Sequence, residues 1–254
     1  SLTADQGPLN VQGGARIAAN GTTGGQILLQ ARAARITVEG QLEARGTGQA
    51  GTTTTTTPTE ADPAARGGVI QVLGQEVVLT GQATADASGD AGGGAILIGG
   101  DYQGKTAKVQ NALRTYVGQD VVLKADALLK GDGGKVIVWA DEATNFVGSI
   151  SAIGGSQGGD GGFVETSGKG ALLFRGRVDT RAARGRNGTL LLDPTDINIV
   201  AAGTVTPDTA TADNILFLDT AAIPTSEITT ATLFSALQAN NVTISTNNTA
   251  GTSL

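Results

Sequence analysis

The sequence predicts an all-β fold: a parallel β-helix, or solenoid, with loop insertions and one short helix near the C-terminus. Three observations predict it. A glycine followed by apolar residues at +2 and +4 recurs six times along the chain. A second pattern, apolar-x-Gly-x-apolar-x-Ala, follows at nearly constant distance. Finally, 39 of the 254 residues are glycine while only 3% are aromatic, so the interior is built from Val, Ile, Leu, Ala and Thr, with glycine at the corners. The glycines do not fall at every third position, which excludes a collagen-like helix.

The first pattern reads Gly25-Ile27-Leu29, Gly68-Ile70-Val72, Gly94-Ile96-Ile98, Gly134-Val136-Val138, Gly162-Val164-Thr166 and Gly188-Leu190-Leu192. A period of two marks strands, each entered through a glycine turn. The second pattern reads Val38-Gly40-Leu42-Ala44, Leu79-Gly81-Ala83-Ala85, Phe146-Gly148-Ile150-Ala152 and Phe174-Gly176-Val178-Thr180. A weaker copy runs Leu123-Ala125-Ala127-Leu129. The offset from leading to inner glycine is 15, 13, 14 and 14 residues in the four good copies. Constant offset without identical sequence is what stacked coils produce, and the inner glycine marks a bend.

Leading glycines are spaced by 43, 26, 40, 28 and 26 residues. The two long intervals contain insertions, at 47–66, with the threonine run Thr52 to Thr57, and at 100–112. A solenoid tolerates such loops because they leave one face without disturbing the stack. Units of about 26 residues imply nine or ten coils and a rod on the order of 45 Å at about 4.8 Å per coil. A β-sandwich also has short strands and glycine turns, but hairpin signals are scarce here. We therefore divide the chain into a β-helix over 1–200 and a C-terminal segment over 201–254. In the latter, glycine becomes rarer and 230–239 reads as a helix carrying Leu233, Phe234 and Leu237 on one face. A strand, Val242 to Ser245, follows, so the segment is either a cap or a continuation of the stack.

Composition excludes several function classes. The chain has no His, no Cys and no Met. That removes Ser-His-Asp and Cys-His catalysis, zinc fingers, iron–sulfur sites and disulfides. A net charge of −6, without a basic stripe, speaks against nucleic acid as partner. No apolar run approaches the ~20 residues of a membrane-spanning helix.

The phrases Gly134-Lys135-Val136-Ile137-Val138-Trp139-Ala140-Asp141, Gly100-Asp101-Tyr102-Gln103-Gly104, Gly158-Gly159-Asp160-Gly161-Gly162-Phe163-Val164-Glu165 with Ser167-Gly168-Lys169, and Leu190-Leu191-Leu192-Asp193-Pro194-Thr195-Asp196-Ile197 carry a family resemblance. Together they resemble large secreted proteins of the filamentous haemagglutinin type, exported by bacterial two-partner secretion. The resemblance covers roughly 94–200. It implies a right-handed β-helix, an extracellular or cell-surface location, an adhesive or matrix role, and an outer-membrane transporter as partner during export. The secretion domain of such proteins carries Asn-Pro-Asn-type motifs. None occurs here, so the chain reads as a shaft or passenger segment.

Several residues are candidates for chemistry. Asp90, Asp132 and Asp160 precede glycines once per coil. Stacked along one edge they would attract a hard cation such as Ca²⁺, whereas the plainer reading is Asp-Gly turn chemistry, with no cofactor. Arg175, Arg177 and Arg181 belong to a dense arginine cluster, with Arg175 and Arg177 opposite inward Phe174, Gly176 and Val178. They read as a solvated face or as a patch for an anionic ligand such as acidic polysaccharide. Trp139 follows inward Val138 and so points outward, either to stack on sugar or to pack beneath the Tyr102 insertion. The expected function is non-catalytic: an adhesin or shaft element recognising a polysaccharide or protein receptor on a host or neighbouring cell, with end-to-end self-association at open coil ends. The alternatives are a carbohydrate-active β-helix enzyme, which needs carboxylates converging in one groove, and a subunit of a homopolymeric fibre.

Overall fold

Glycine sets the path of the chain. The computed structural model describes residues 1–48, 62–202 and 225–246. A Cβ placed on Gly68, Gly94, Gly134, Gly162 or Gly188 would lie 2.0–2.1 Å from a backbone oxygen of the equivalent glycine one coil earlier. Any side chain there would push successive coils apart. This is why the leading glycine recurs.

From each such corner the chain enters a strand of the first face. These strands stack in parallel: Val69–Leu79, Ala95–Ile98, Lys135–Ala140, Phe163–Gly168, Thr189–Leu192 and Asn241–Ile244. Before them come Gln26–Val38 and, at the edge, Leu2–Ala4. Ile27, Ile70, Ile96, Val136, Val164 and Leu190 are mutual register partners, and all are buried. The predicted inward ladder is present, and Val242 extends it. Among the described residues eight rungs stack on this face, where nine or ten coils were expected, because the two insertions lengthen the chain between rungs.

A second face, not anticipated, continues from the first. Gln26–Val38 and Val69–Leu79 run through the intervening bend, with a register shift between Ala31 and Arg35. Later coils break there, giving Arg114–Val117, Ala143–Phe146 and Ala171–Phe174. Inward Thr115 and Thr144 hide the apolar pattern. Their hydroxyls donate to the Trp139 and Ser167 carbonyls at 2.7 Å, so the buried oxygens are satisfied. Phe146 and Phe174 stack inside, ring centres 5.6 Å apart.

The inner glycine is the next corner. A Cβ on Gly176 would meet the Phe146 ring at 2.2 Å. Beyond it lies a six-stranded parallel sheet: Arg16–Ala18, Gln41–Glu43, Thr84–Asp86, Val122–Lys124, Ser149–Ser151 and Arg177–Asp179. Its inward ladder is Ile17, Leu42, Ala85, Leu123, Ile150 and Val178. Three faces close each coil around one apolar core.

The C-terminal segment departs from simple winding. Glu227–Thr229 lies between Ala171–Phe174 and Asn198–Val200, so a later strand fills an earlier rung. Helix Thr230–Leu237 follows, capped by the Thr229 hydroxyl on the Thr232 N–H at 3.1 Å. It packs against Arg177–Asp179, the terminal strand of the six-stranded sheet. The Asn240 amide, buried, donates to the Val178 and Ala236 carbonyls at 2.9 and 2.7 Å and ties the helix to that strand. The inward helix face is Leu233 and Ala236. Phe234 and Leu237, expected on the packed face, are 65% and 56% exposed, because the helix lies over the edge of one sheet rather than across the core. The threonine run 52–57 lies outside the described residues, and no described helix is long and apolar enough to cross a membrane.

Candidate functional site

Two polar regions stand out on the coil surface. The first is the corner preceding the leading glycines. Asp132 and Asp160 occupy equivalent places on successive rungs, and each side chain holds the backbone of the rung above. Asp132 Oδ1 accepts from the Asp160 N–H at 2.7 Å, and Asp160 Oδ1 accepts from the Arg186 N–H at 2.8 Å. The Arg186 guanidinium grips Asp160 Oδ2 from Nη2 and Nε at 2.7 and 3.0 Å. The backbone and side-chain hydrogen bonds of Arg186 hold the Asp160 carboxyl below its ordinary range. With Lys135, Phe163 and Asn187, these residues line a shallow open groove.

Asp90 is not in this column. It sits beside the Gly46–Gly89 bridge and accepts from the Gly48 N–H at 2.9 Å. The expected three-carboxylate edge is therefore two neighbouring carboxylates plus one on a different column, because Gly92 takes the rung position equivalent to Asp132. Among the described residues no group of three acidic side chains converges as a metal cage.

The arginine cluster is dispersed. Arg177 is exposed as expected. Arg181 folds back on Asp179, with Nη2 2.6 Å from Oδ2, while Arg186 is engaged by Asp160. Burial pushes the Asp179 carboxyl up, but the Arg181 hydrogen bonds outweigh it and lower the carboxyl overall. Arg175, expected in solvent, is half-buried, and its Nη1 and Nη2 are shielded from water without a hydrogen-bond partner. It lies just past inward Phe174, at the bend before Gly176, where the guanidinium nitrogens are covered rather than on an open solvated face.

The second region lies on the outer side of the first face, under the 100–112 insertion, which crosses it as a strap. Trp139 is 1% exposed and packs with Leu97, Ile137 and Phe163. Gly100 and Gly104 lie so close over the indole that a Cβ on either would approach it to 2.7 Å. Its Nε1 donates to Asp141 Oδ1 at 3.0 Å. The outward direction is as predicted, and so is packing beneath the insertion. The sugar-stacking role is overturned, because no ring face is open.

Beside Trp139 the strap covers two carboxyls, Glu165 and Asp193, and carries a third, its own Asp101. The Gln103 N–H donates to Glu165 Oε2 at 3.1 Å, and its side-chain amide donates to Asp193 Oδ2 at 2.7 Å. Lys135 Nζ reaches Asp101 at 2.9 Å. Tyr102 meets the Phe163 ring edge-on, centres 5.8 Å apart. Burial pushes the Glu165 carboxyl up to about 7, and the nearby Asp193 and Asp101 push the same way. Partial burial pushes the Asp101 carboxyl up too, but the hydrogen bonds from Lys135, the Tyr102 N–H and Thr106 lower it overall. Sequence reasoning missed this cluster. The available signal was an acidic residue, Glu165, in register with apolar Ile137 and Leu191, an outward row that a covering loop would bury.

No family model and no curated protein matches the sequence. Among solved structures, the chain is similar to the HMW1 secretion domain from Haemophilus influenzae, at 26% sequence identity and a TM-score of 0.44. The match covers 75% of this chain and 47% of that one, so the chain spans about half that structure's length.

Proposed function

We propose that the chain is a β-helical segment of a secreted bacterial protein of the two-partner secretion kind, a shaft or passenger region with a structural or adhesive role at the cell surface and no catalysis. One observation supports this best. The phrases that resemble the filamentous haemagglutinin type fall on one structural unit: three consecutive rungs of the first face and the strap laid across them. Residues that carry the resemblance are thus the residues that join successive coils, as a rod that must resist being pulled apart along its axis requires. The edge groove supports the non-catalytic reading, since Asp160 is held ionised by Arg186 and Asp132 is spent on a backbone N–H. A glycosidase needs one carboxyl held protonated in an open cleft. Glu165 is raised to about 7, but the strap seals it from substrate.

The test is co-expression of the full protein with an outer-membrane transporter of a two-partner system. Export to the surface or medium, dependent on the transporter, is the expected result; retention in the periplasm contradicts the proposal. Release of unsaturated or reducing sugars from acidic polysaccharides by the purified chain would instead favour the carbohydrate-enzyme reading.

A further inference from the structure

We propose that the 100–112 strap is a proton-operated cover: its closed form holds a proton on the Glu165 carboxyl, and loss of that proton favours lifting the strap from the outer face around Trp139. The geometry carries this. Closed, the strap leaves Glu165 and Asp193 almost without solvent contact, and it does so with Gln103. Gln103 has φ +52°, a left-handed conformation, and is the one non-glycine residue with positive φ among the described residues. A side chain in that region is held there only by its surroundings, so the latch is under tension.

The charged groups around Glu165 do not neutralise it. From the strap come Asp101 and Lys105; from the strand before it, Lys135; from the rung above, Asp193. Lys135 is engaged by Asp101, and Lys105 Nζ bonds Gln103 Oε1 at 2.7 Å. On its own strand Glu165 has the Ser167 hydroxyl, which also accepts from the Asp193 N–H at 3.0 Å. An ionised Glu165 would thus face the buried Asp193 and, at the rim of the site, the Lys135-paired Asp101, supported by two neutral donors. Opening admits water and lets the carboxyl ionise freely. Opening therefore releases a proton, and its equilibrium constant rises with pH between the ordinary glutamate value and the closed-state value, then levels off.

Hydrogen exchange by mass spectrometry on the full protein reads this directly. Protection of the 101–112 amides, corrected for intrinsic exchange, should fall about fiftyfold from pH 5 to pH 7.5. Glu165→Gln keeps the acceptor and cannot ionise, so its protection should change less than about threefold over that range. Gln103→Gly removes the Asp193 contact and the left-handed strain, and should alter protection at every pH while keeping the wild-type slope. A flat wild-type profile, or a Glu165→Gln profile parallel to it, overturns the proposal. If Glu165→Gln does not fold, ¹³C titration of the Glu165 carboxyl in the wild type decides: a midpoint near 7 is expected, and one at or below the ordinary glutamate value overturns it.

Discussion

Gly134→Ala is the sharpest perturbation of the stacking. The new Cβ would lie 2.1 Å from the Gly94 oxygen and 2.9 Å from the Ala125 Cβ, where ordinary contact begins at 3.4 Å. The rungs must separate locally by about 1.3 Å, against a normal strand spacing of about 4.8 Å. That same Gly94 oxygen accepts the Lys135 N–H at 2.9 Å, so the ladder bond at the corner is lost with the separation. Overpacking costs about 1–3 kcal/mol, and a stranded buried backbone group costs about as much again. The reduced freedom of the unfolded chain returns about 0.5–1 kcal/mol. A net loss of about 3 kcal/mol follows, or roughly 6–12 °C in Tm for a chain of this size. Urea unfolding followed by circular dichroism measures it. Gly7→Ala is the control, since nothing lies within 4 Å of its Cβ position, and it should stay within about 0.5 kcal/mol of wild type. Equal losses in the two variants would refute the close-approach explanation of the glycine repeat.

Thr166 sits inside the first-face ladder as the register partner of Val138, and its hydroxyl is buried without a partner. Thr166→Val should therefore stabilise the fold by about 1–2 kcal/mol in thermal unfolding. Val136→Asp places a charge between Ile96 and Val164 and should cost several kcal/mol, read as loss of the cooperative melt at ambient temperature. Stability should peak on the acid side of neutrality. Burial raises the carboxyls of Glu165 and Asp126 in the folded state, so folding holds extra protons and weakens as pH rises from about 4.5 towards 7. The Glu165 share is about 3 kcal/mol. Below that window the sign reverses: hydrogen bonds from Arg16 and Asn20 lower the Glu43 carboxyl to about 2, and its contribution disappears as pH falls towards that value. Urea midpoints at pH 3, 5 and 7.5 should be highest at 5.

The first face and the six-stranded sheet were legible because every second residue enters the core at a fixed offset from a glycine, as at Ile96-Ile98 after Gly94 and Leu42-Ala44 after Gly40, although the outer row of the first face, Leu97, Ile137 and Trp139, is buried as well. The middle face was not. Its strands are covered on both sides, and inward Thr115 and Thr144 satisfy their hydroxyls locally, which removes the alternation that a reader can count. The surface followed the same logic. Period two placed Trp139 correctly outward, but periodicity carries no information about which loop returns over a face. The strap's contacts with Glu165 and Asp193 span 62 and 90 residues, and such distant pairing leaves no local pattern. Spacing put Asp90, Asp132 and Asp160 at one corner; Asp132 and Asp160 do share it, but Asp90 lies two residues before the equivalent position, Gly92, enough to move it to another column.

The parallel, in-register stacking of coils is the claim on which everything else rests, and double electron–electron resonance tests it directly. The chain contains no cysteine, so labels can be placed at will. Arg16, Gln41, Thr84, Val122, Ser149 and Arg177 are successive register partners down one sheet. Cysteine pairs replacing Gln41 and Arg177, and Arg16 and Arg177, should report backbone separations of about 19 and 24 Å, four and five strand spacings. A 16–177 separation equal to or shorter than the 41–177 separation would contradict the stack.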